Sequence, residues 1–150
     1  SRKIVGFQVS QMPTTGHLAK ASREKYGDRK DFRQKGLYRL FKDIGQHVNK
    51  DTKFRSDQCP YYESILKKVF PDAVYEQFKG ARGSVYGQGE LKKIGYDPLF
   101  SINHTFAMLR ANINRLFRRT WCTTKKRQGL IYHLAIYSYM HNMMWVRNYG

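Results

Sequence analysis

One carboxylate stands out in the stretch "KFRSDQCPYY", which covers residues 53–62. Asp57 comes where a short strand-like pattern ends, just before Pro60 opens a new element. Acids are scarce in this chain, with 11 Asp and Glu against 28 Lys and Arg. Two explanations are open: Asp57 caps a turn or the helix that follows Pro60, or its oxygens hold a divalent cation in a site for phosphate chemistry.

The distribution of charge is the strongest signal in the chain. The formal net charge is +17, the pI is near 10.1, and the 53 residues after Asp97 contain no acid. Surface charge that serves solubility usually mixes both signs, so this stretch predicts a face for a polyanion. A structural RNA-binding protein would carry the same charge. No run of 18 apolar residues is present, so we expect no membrane span.

The composition is that of a single folded domain over residues 1–150. Hydrophobic residues make up 41% of the chain and aromatic residues 15%, which is enough apolar surface for a core. The two cysteines, Cys59 and Cys122, have no CxxC spacing and no nearby set of histidines. We therefore expect two free thiols and no zinc site.

The residue pattern predicts an α/β domain with the element order β-α-α-β-α-β-loop-α-α. We expect strands at about 3–11, 52–57 and 73–78, and helices at about 15–27, 31–48, 60–70, 98–117 and 128–145. In the fourth helix, Asp97 is the expected N-cap and Pro98 the first helical residue. On a helical wheel its apolar stripe, the expected core face, consists of Ile102, Phe106, Leu109, Ile113, Leu116 and Phe117.

A glycine-rich, basic segment, "KGARGSVYGQGELKKIGYDP", separates the last strand from this helix. It matches neither a Walker loop nor a dinucleotide fingerprint. A surface loop is one interpretation. In the other, its glycines let backbone N–H groups approach phosphates while Lys79, Arg82, Lys92 and Lys93 neutralise the negative charge.

Three segments together resemble a known family: "SDQCPYY", "GQGELKKIGYDPLFSINHTFAMLRANINRLFRRTWCTTKK" and "HLAIYSYMHN". They look like the catalytic region of bacterial insertion-sequence transposases of the DDE type, and the resemblance runs across nearly the whole chain. It implies an RNase H-like fold, with a mixed sheet flanked by helices and a helical C-terminal part. The chain opens directly into a strand-like pattern, without Met, so we expect a fragment that is truncated at its N-terminus and lacks the first strand.

The resemblance also implies a metal-dependent site. In that family three acids hold two Mg²⁺ or Mn²⁺ ions about 3.5–4 Å apart for phosphoryl transfer on DNA. Asp57 matches the second acid, and the first lies before residue 1. Asn103 occupies the position of the third acid, beside His104, a rival nitrogen ligand for which a solvated or phosphate-contacting role is the commoner outcome. Glu90 is an alternative third acid.

The implied function is cleavage and strand transfer of an insertion element by a DNA transposase. The implied partners are double-stranded DNA, as transposon ends and target, and a second copy in a homodimer. We expect a prokaryotic, cytoplasmic, nucleoid-associated protein without membrane contact. The predicted DNA-binding residues are Arg82, Lys92, Lys93, Arg110, Arg115, Arg118, Arg119, Lys125 and Lys126. A decayed or domesticated derivative that binds DNA without cutting it is the alternative, since an Asn at position 103 lacks the charge of an acid.

Overall fold

The structure is a computed structural model that describes residues 3–49, 51–79, 96–116 and 126–149. Within these ranges five α-helices and two strands follow one another in the order α-α-β-α-β-α-α. The elements are α1 (Ala19–Tyr26), α2 (Arg33–Ile44), β1 (Lys53–Asp57), α3 (Tyr62–Val69), β2 (Val74–Phe78), α4 (Phe100–Asn112) and α5 (Arg127–Tyr149). Short 3₁₀ turns, Gly45–His47 and Asn114–Leu116, follow α2 and α4. The expected α/β class is confirmed.

The two strands form a parallel pair joined through α3. Lys53 lies opposite Val74 and Asp57 opposite Phe78, so both strands end at the same edge of the sheet. Glu76 ties the strands together, because its carboxylate accepts from Lys53 Nζ at 2.6 Å and from Arg55 Nε at 3.0 Å. The hydrogen bond from Lys53 lowers the pKa of Glu76. Over the described ranges the sheet is two-stranded and wholly parallel rather than mixed.

The core lies between α2, α3 and this sheet. Ile65 and Leu66 of α3 are buried, Leu66 being only 2% exposed, and Phe70, the residue that follows the helix, is buried beside them. The ring of Phe70 lies 4.8 Å from that of Phe54 on β1 and 6.2 Å from that of Phe41 on α2, centroid to centroid. These aromatic contacts fix the sheet against two helices and thereby position the carboxyl end of β1.

The predicted strand at residues 3–11 is wrong, because this segment joins no sheet in the described structure. The backbone groups of Ile4 in this segment pair with a side chain instead of with a neighbouring strand. Asn142 of α5 accepts a hydrogen bond from the Ile4 N–H at 2.8 Å and donates one to the Ile4 carbonyl oxygen at 2.8 Å. Alternating β-branched residues indicate extended chain, but they do not say what satisfies its backbone.

The same segment packs on α2 at a glycine. A Cβ atom added at Gly36 would lie 1.8 Å from Ser10 Oγ, which is far inside van der Waals contact. The absence of a side chain at Gly36 therefore lets the N-terminal segment approach the helix closely.

The expected apolar stripe of the fourth helix is wrong over its first half. Ile113 is 4% exposed, but Ile102 is 44% and Phe106 is 48% exposed. The wheel assumed one helix through Phe117, whereas α4 ends at Asn112 and Ile113 has extended backbone angles, φ −115° and ψ 97°. None of the helices in the described ranges combines the length and apolar character needed to cross a bilayer.

Candidate functional site

Asp57 is the last residue of β1 and its side chain is exposed. It does not cap the following helix, because α3 has Tyr61 as its N-cap and no side-chain capping bond. The Ser56 Oγ donates a hydrogen bond at 2.7 Å to the backbone oxygen of Asp57 and not to its carboxylate. Within the part of the chain that the structure describes, the Asp57 carboxylate has no hydrogen-bond donor or ion-pair partner. The capping explanation is therefore wrong, and the carboxylate is open to a ligand.

One phenol, that of Tyr62, lies near this carboxylate at the edge of the sheet. Burial raises the pKa of Tyr62, and the nearby Asp57 carboxylate raises it further. Tyr62 is thus a neutral phenol that can donate a hydrogen bond and is not an anionic nucleophile. Tyr75, on β2, shares a 2.6 Å hydrogen bond with Ser56 and accepts another from Gln77 at 2.9 Å. Adjacent strand residues point to opposite faces of a sheet, so this hydroxyl cluster lies on the other face from the Asp57 side chain.

A complete metal site is not present among the described residues. They contain no group of three or more His, Cys, Asp or Glu that could hold a metal ion. Asp57 fits as one hard oxygen ligand for Mg²⁺ or Mn²⁺, since it is exposed and unengaged. Glu90, the alternative third acid, lies outside the described residues.

Asn103 lies near the start of α4, and its side-chain amide is hydrogen-bonded to the carboxylate of Asp97. Its Nδ2 donates to Asp97 Oδ2 at 2.9 Å, while the Leu99 N–H donates to Asp97 Oδ1 at 2.9 Å. The expectation that Asp97 is the N-cap and Pro98 the first helical residue is wrong, because α4 begins at Phe100 with Leu99 as its N-cap. The side chain at the third-acid position acts here as a hydrogen-bond donor to an acid. Sequence reasoning missed this pairing; Asp97 followed six residues later by Asn103 was its only signal.

His104 is half-buried and lines a groove together with residues of α5, so its ring is not fully solvated, while contact with a phosphate stays a prediction. Its ring lies 5.8 Å from that of Phe100, and its Nδ1 is buried without a hydrogen-bond partner in the described structure. The imidazole lines a groove with the thioethers of Met108, Met140 and Met144. Thioethers favour soft cations, so these surroundings do not suit Mg²⁺ or Mn²⁺.

The predicted DNA-binding residues fall into two groups. Arg110 lies in the last turn of α4, Arg115 in the 3₁₀ turn after it, and Lys126 is exposed just before α5. The sequence analysis placed Arg110 and Arg115 on one helix, which is wrong because α4 ends between them. The others lie outside the described residues: Arg82, Lys92, Lys93, Arg118, Arg119 and Lys125.

Restoring an acid at position 103 is expected to destabilise the protein. Asn103→Glu replaces the amide donor with a second carboxylate beside Asp97, which costs about 1–3 kcal/mol of unfolding free energy. The double variant Asp97→Asn/Asn103→Glu exchanges donor and acceptor, so it is expected to recover most of that loss. Urea unfolding of the native chain and both variants measures this. Equal stability of the single and double variants would show that the Asp97–Asn103 bond contributes nothing.

Comparison with protein-family models, curated proteins and solved structures finds no match to this chain. Its function therefore has to be inferred from its own residues and their geometry.

Proposed function

We propose that this chain binds duplex DNA as the RNase H-like catalytic domain of a DDE-type transposase. The observation that carries the proposal is the absence of any acid after Asp97, where eight Lys and Arg stand in a chain of net charge +17. A surface that carries only positive charge attracts the phosphates of a nucleic acid and repels cations. Such contacts fix the position of a protein on DNA without reading its sequence.

The position of Asp57 supports the catalytic part of the proposal. Open α/β sheets bind ligands beyond the carboxyl ends of their strands, and Asp57 is the exposed last residue of β1. In the proposed reaction Asp57 would hold Mg²⁺ or Mn²⁺, and the ion would supply stabilisation of the charge that develops on the phosphate. The neutral phenol of Tyr62 would donate a hydrogen bond at the same edge.

A DNA-binding derivative without nuclease activity is the second candidate. The bond from Asn103 to Asp97 favours it, because the amide there already serves the start of α4. Its remaining carbonyl oxygen would be an uncharged ligand, so an ion at this position would be held weakly. Both candidates share the same DNA-binding surface.

A competition experiment tests the shared proposal. The full chain is titrated into a fluorescent DNA duplex of about 30 base pairs, and unlabelled DNA or RNA duplexes of the same sequence are then added. We expect the DNA duplex to compete at least as well as the RNA duplex. If the RNA competes at a concentration about tenfold lower, the chain is a structural RNA-binding protein and the transposase proposal fails.

A further inference from the structure

The helices α4 and α5 enclose an open groove of about 700 Å³. This volume is in the usual range of ligand sites in proteins. The α5 side chains that line it recur every three or four residues from His133 to Asn148, so they form one face of the helix. At 1.5 Å per residue the face is about 22 Å long, which matches a partner helix of about four turns.

The groove leaves large apolar side chains in contact with solvent. Ile136 is 61% exposed, Met140 58% and Met144 61%. Contiguous apolar surface of this kind marks interaction sites, and unbranched methionines adapt to partners of different shape.

The charge around the groove restricts its occupant. Residues 128–146 contain no Asp, Glu, Lys or Arg, whereas Lys126 and Arg127 precede this stretch and Arg147 follows it. An apolar face flanked by positive charge complements a helix with apolar residues on one side and acids elsewhere. A second copy would bring its own net +17 against this surface, and duplex DNA has no apolar face to place among thioethers.

We propose that the α4/α5 groove docks the apolar face of an acidic amphipathic helix from another protein. The occupant lies along α5 with its leucine-like side chains on Ile136, Met140 and Met144. Its acids lie toward Lys126 and Arg127. The apolar contact is made in an uncharged stretch, whereas Lys126 and Arg127 also belong to the proposed DNA-binding surface, so the acidic helix and DNA compete for these two residues.

The test uses the full chain and a designed, fluorescent, acidic amphipathic peptide of about 18 residues with Leu on one face and Glu elsewhere. A scrambled peptide of equal composition controls for attraction by charge alone. We expect the amphipathic peptide to bind at least tenfold more tightly than the scrambled one. Met144→Gln should remove most of that difference. Met143→Gln is the matched control, since Met143 is exposed on α5 but does not line the groove, and it should leave the difference intact.

Three other results would overturn the proposal. Equal binding of the two peptides, or no saturable binding of either, means that the groove does not select an amphipathic helix. Loss of duplex DNA binding in Met144→Gln, with Met143→Gln unaffected, assigns the groove to the DNA interface. A dimer in sedimentation velocity that Met144→Gln dissociates assigns the groove to a second copy. Circular dichroism spectra of both variants show whether the helices are intact.

Discussion

Duplex DNA binding is expected to weaken by about 10³-fold or more when salt rises from about 50 to about 200 mM. Each Lys or Arg that neutralises a phosphate releases a condensed counterion, and the eight basic residues after Asp97 allow at least six such contacts. Fluorescence anisotropy at several salt concentrations gives the slope of log K against log salt. A slope near zero would mean that phosphates do not provide the affinity, and it would remove the basis for a nucleic-acid partner.

Asp57→Asn is expected to abolish DNA nicking that depends on Mn²⁺ or Mg²⁺ in the full-length protein. The amide keeps the shape of the side chain but loses the charge that attracts the ion. Unfolding free energy should stay within about 0.5 kcal/mol of the native value, because the Asp57 carboxylate is exposed and makes no bond in the described structure. Conversion of supercoiled to nicked plasmid measures the activity.

Asp72→Asn is the matched control for this experiment. Asp72 is an exposed acid in the turn after α3, at the other end of the β1-α3-β2 unit from Asp57. It should leave nicking unchanged. Full nicking by Asp57→Asn would remove the metal role of Asp57. No nicking by the native full-length protein would favour the derivative that binds DNA without cutting it.

Local patterns predicted the elements whose partners are close in sequence. Phe54 lies on β1, Leu66 on α3 and Phe70 directly after α3, and the alternation of β1 and the apolar face of α3 are both present in the structure. The βαβ unit is compact, so β1 pairs with β2 and Phe54 packs on Phe70 all within residues 53–78. Periodicity predicts such elements well, because the apolar positions in the sequence are the positions that become buried.

The sequence patterns gave wrong predictions where the packing partner lies far away in the chain. They also failed where a helix ends earlier than its periodicity indicates. The strand expected at residues 3–11 instead meets the side chain of Asn142, more than 130 residues away. The wheel of α4 failed at Ile102 and Phe106, which are exposed, because periodicity does not say which face of a helix meets other elements. The helix expected to run through Phe117 also ends earlier, at Asn112. A side chain's surroundings depend on which elements meet, and one sequence does not specify that.

In the candidate site, too, some features followed from the sequence and others required the structure. The residue pattern predicted that Asp57 lies at the end of a strand, and Asp57 is the last residue of β1. The bond between Asn103 and Asp97 required coordinates, since both residues have several ways to satisfy their side chains near a helix start. The charge asymmetry needed no structure, and it remains the strongest support for a polyanion partner.

The central claim is that the acid-free C-terminal stretch provides the DNA-binding surface. It is tested most directly by comparing the salt slopes of two double variants of equal charge. Lys126→Gln/Arg127→Gln neutralises two exposed residues at the start of α5, and Lys35→Gln/Lys42→Gln neutralises two exposed residues of α2. We predict that the α5 variant lowers the slope by about two, while the α2 variant leaves it unchanged. Equal losses in both, or a larger loss in the α2 variant, would contradict the claim.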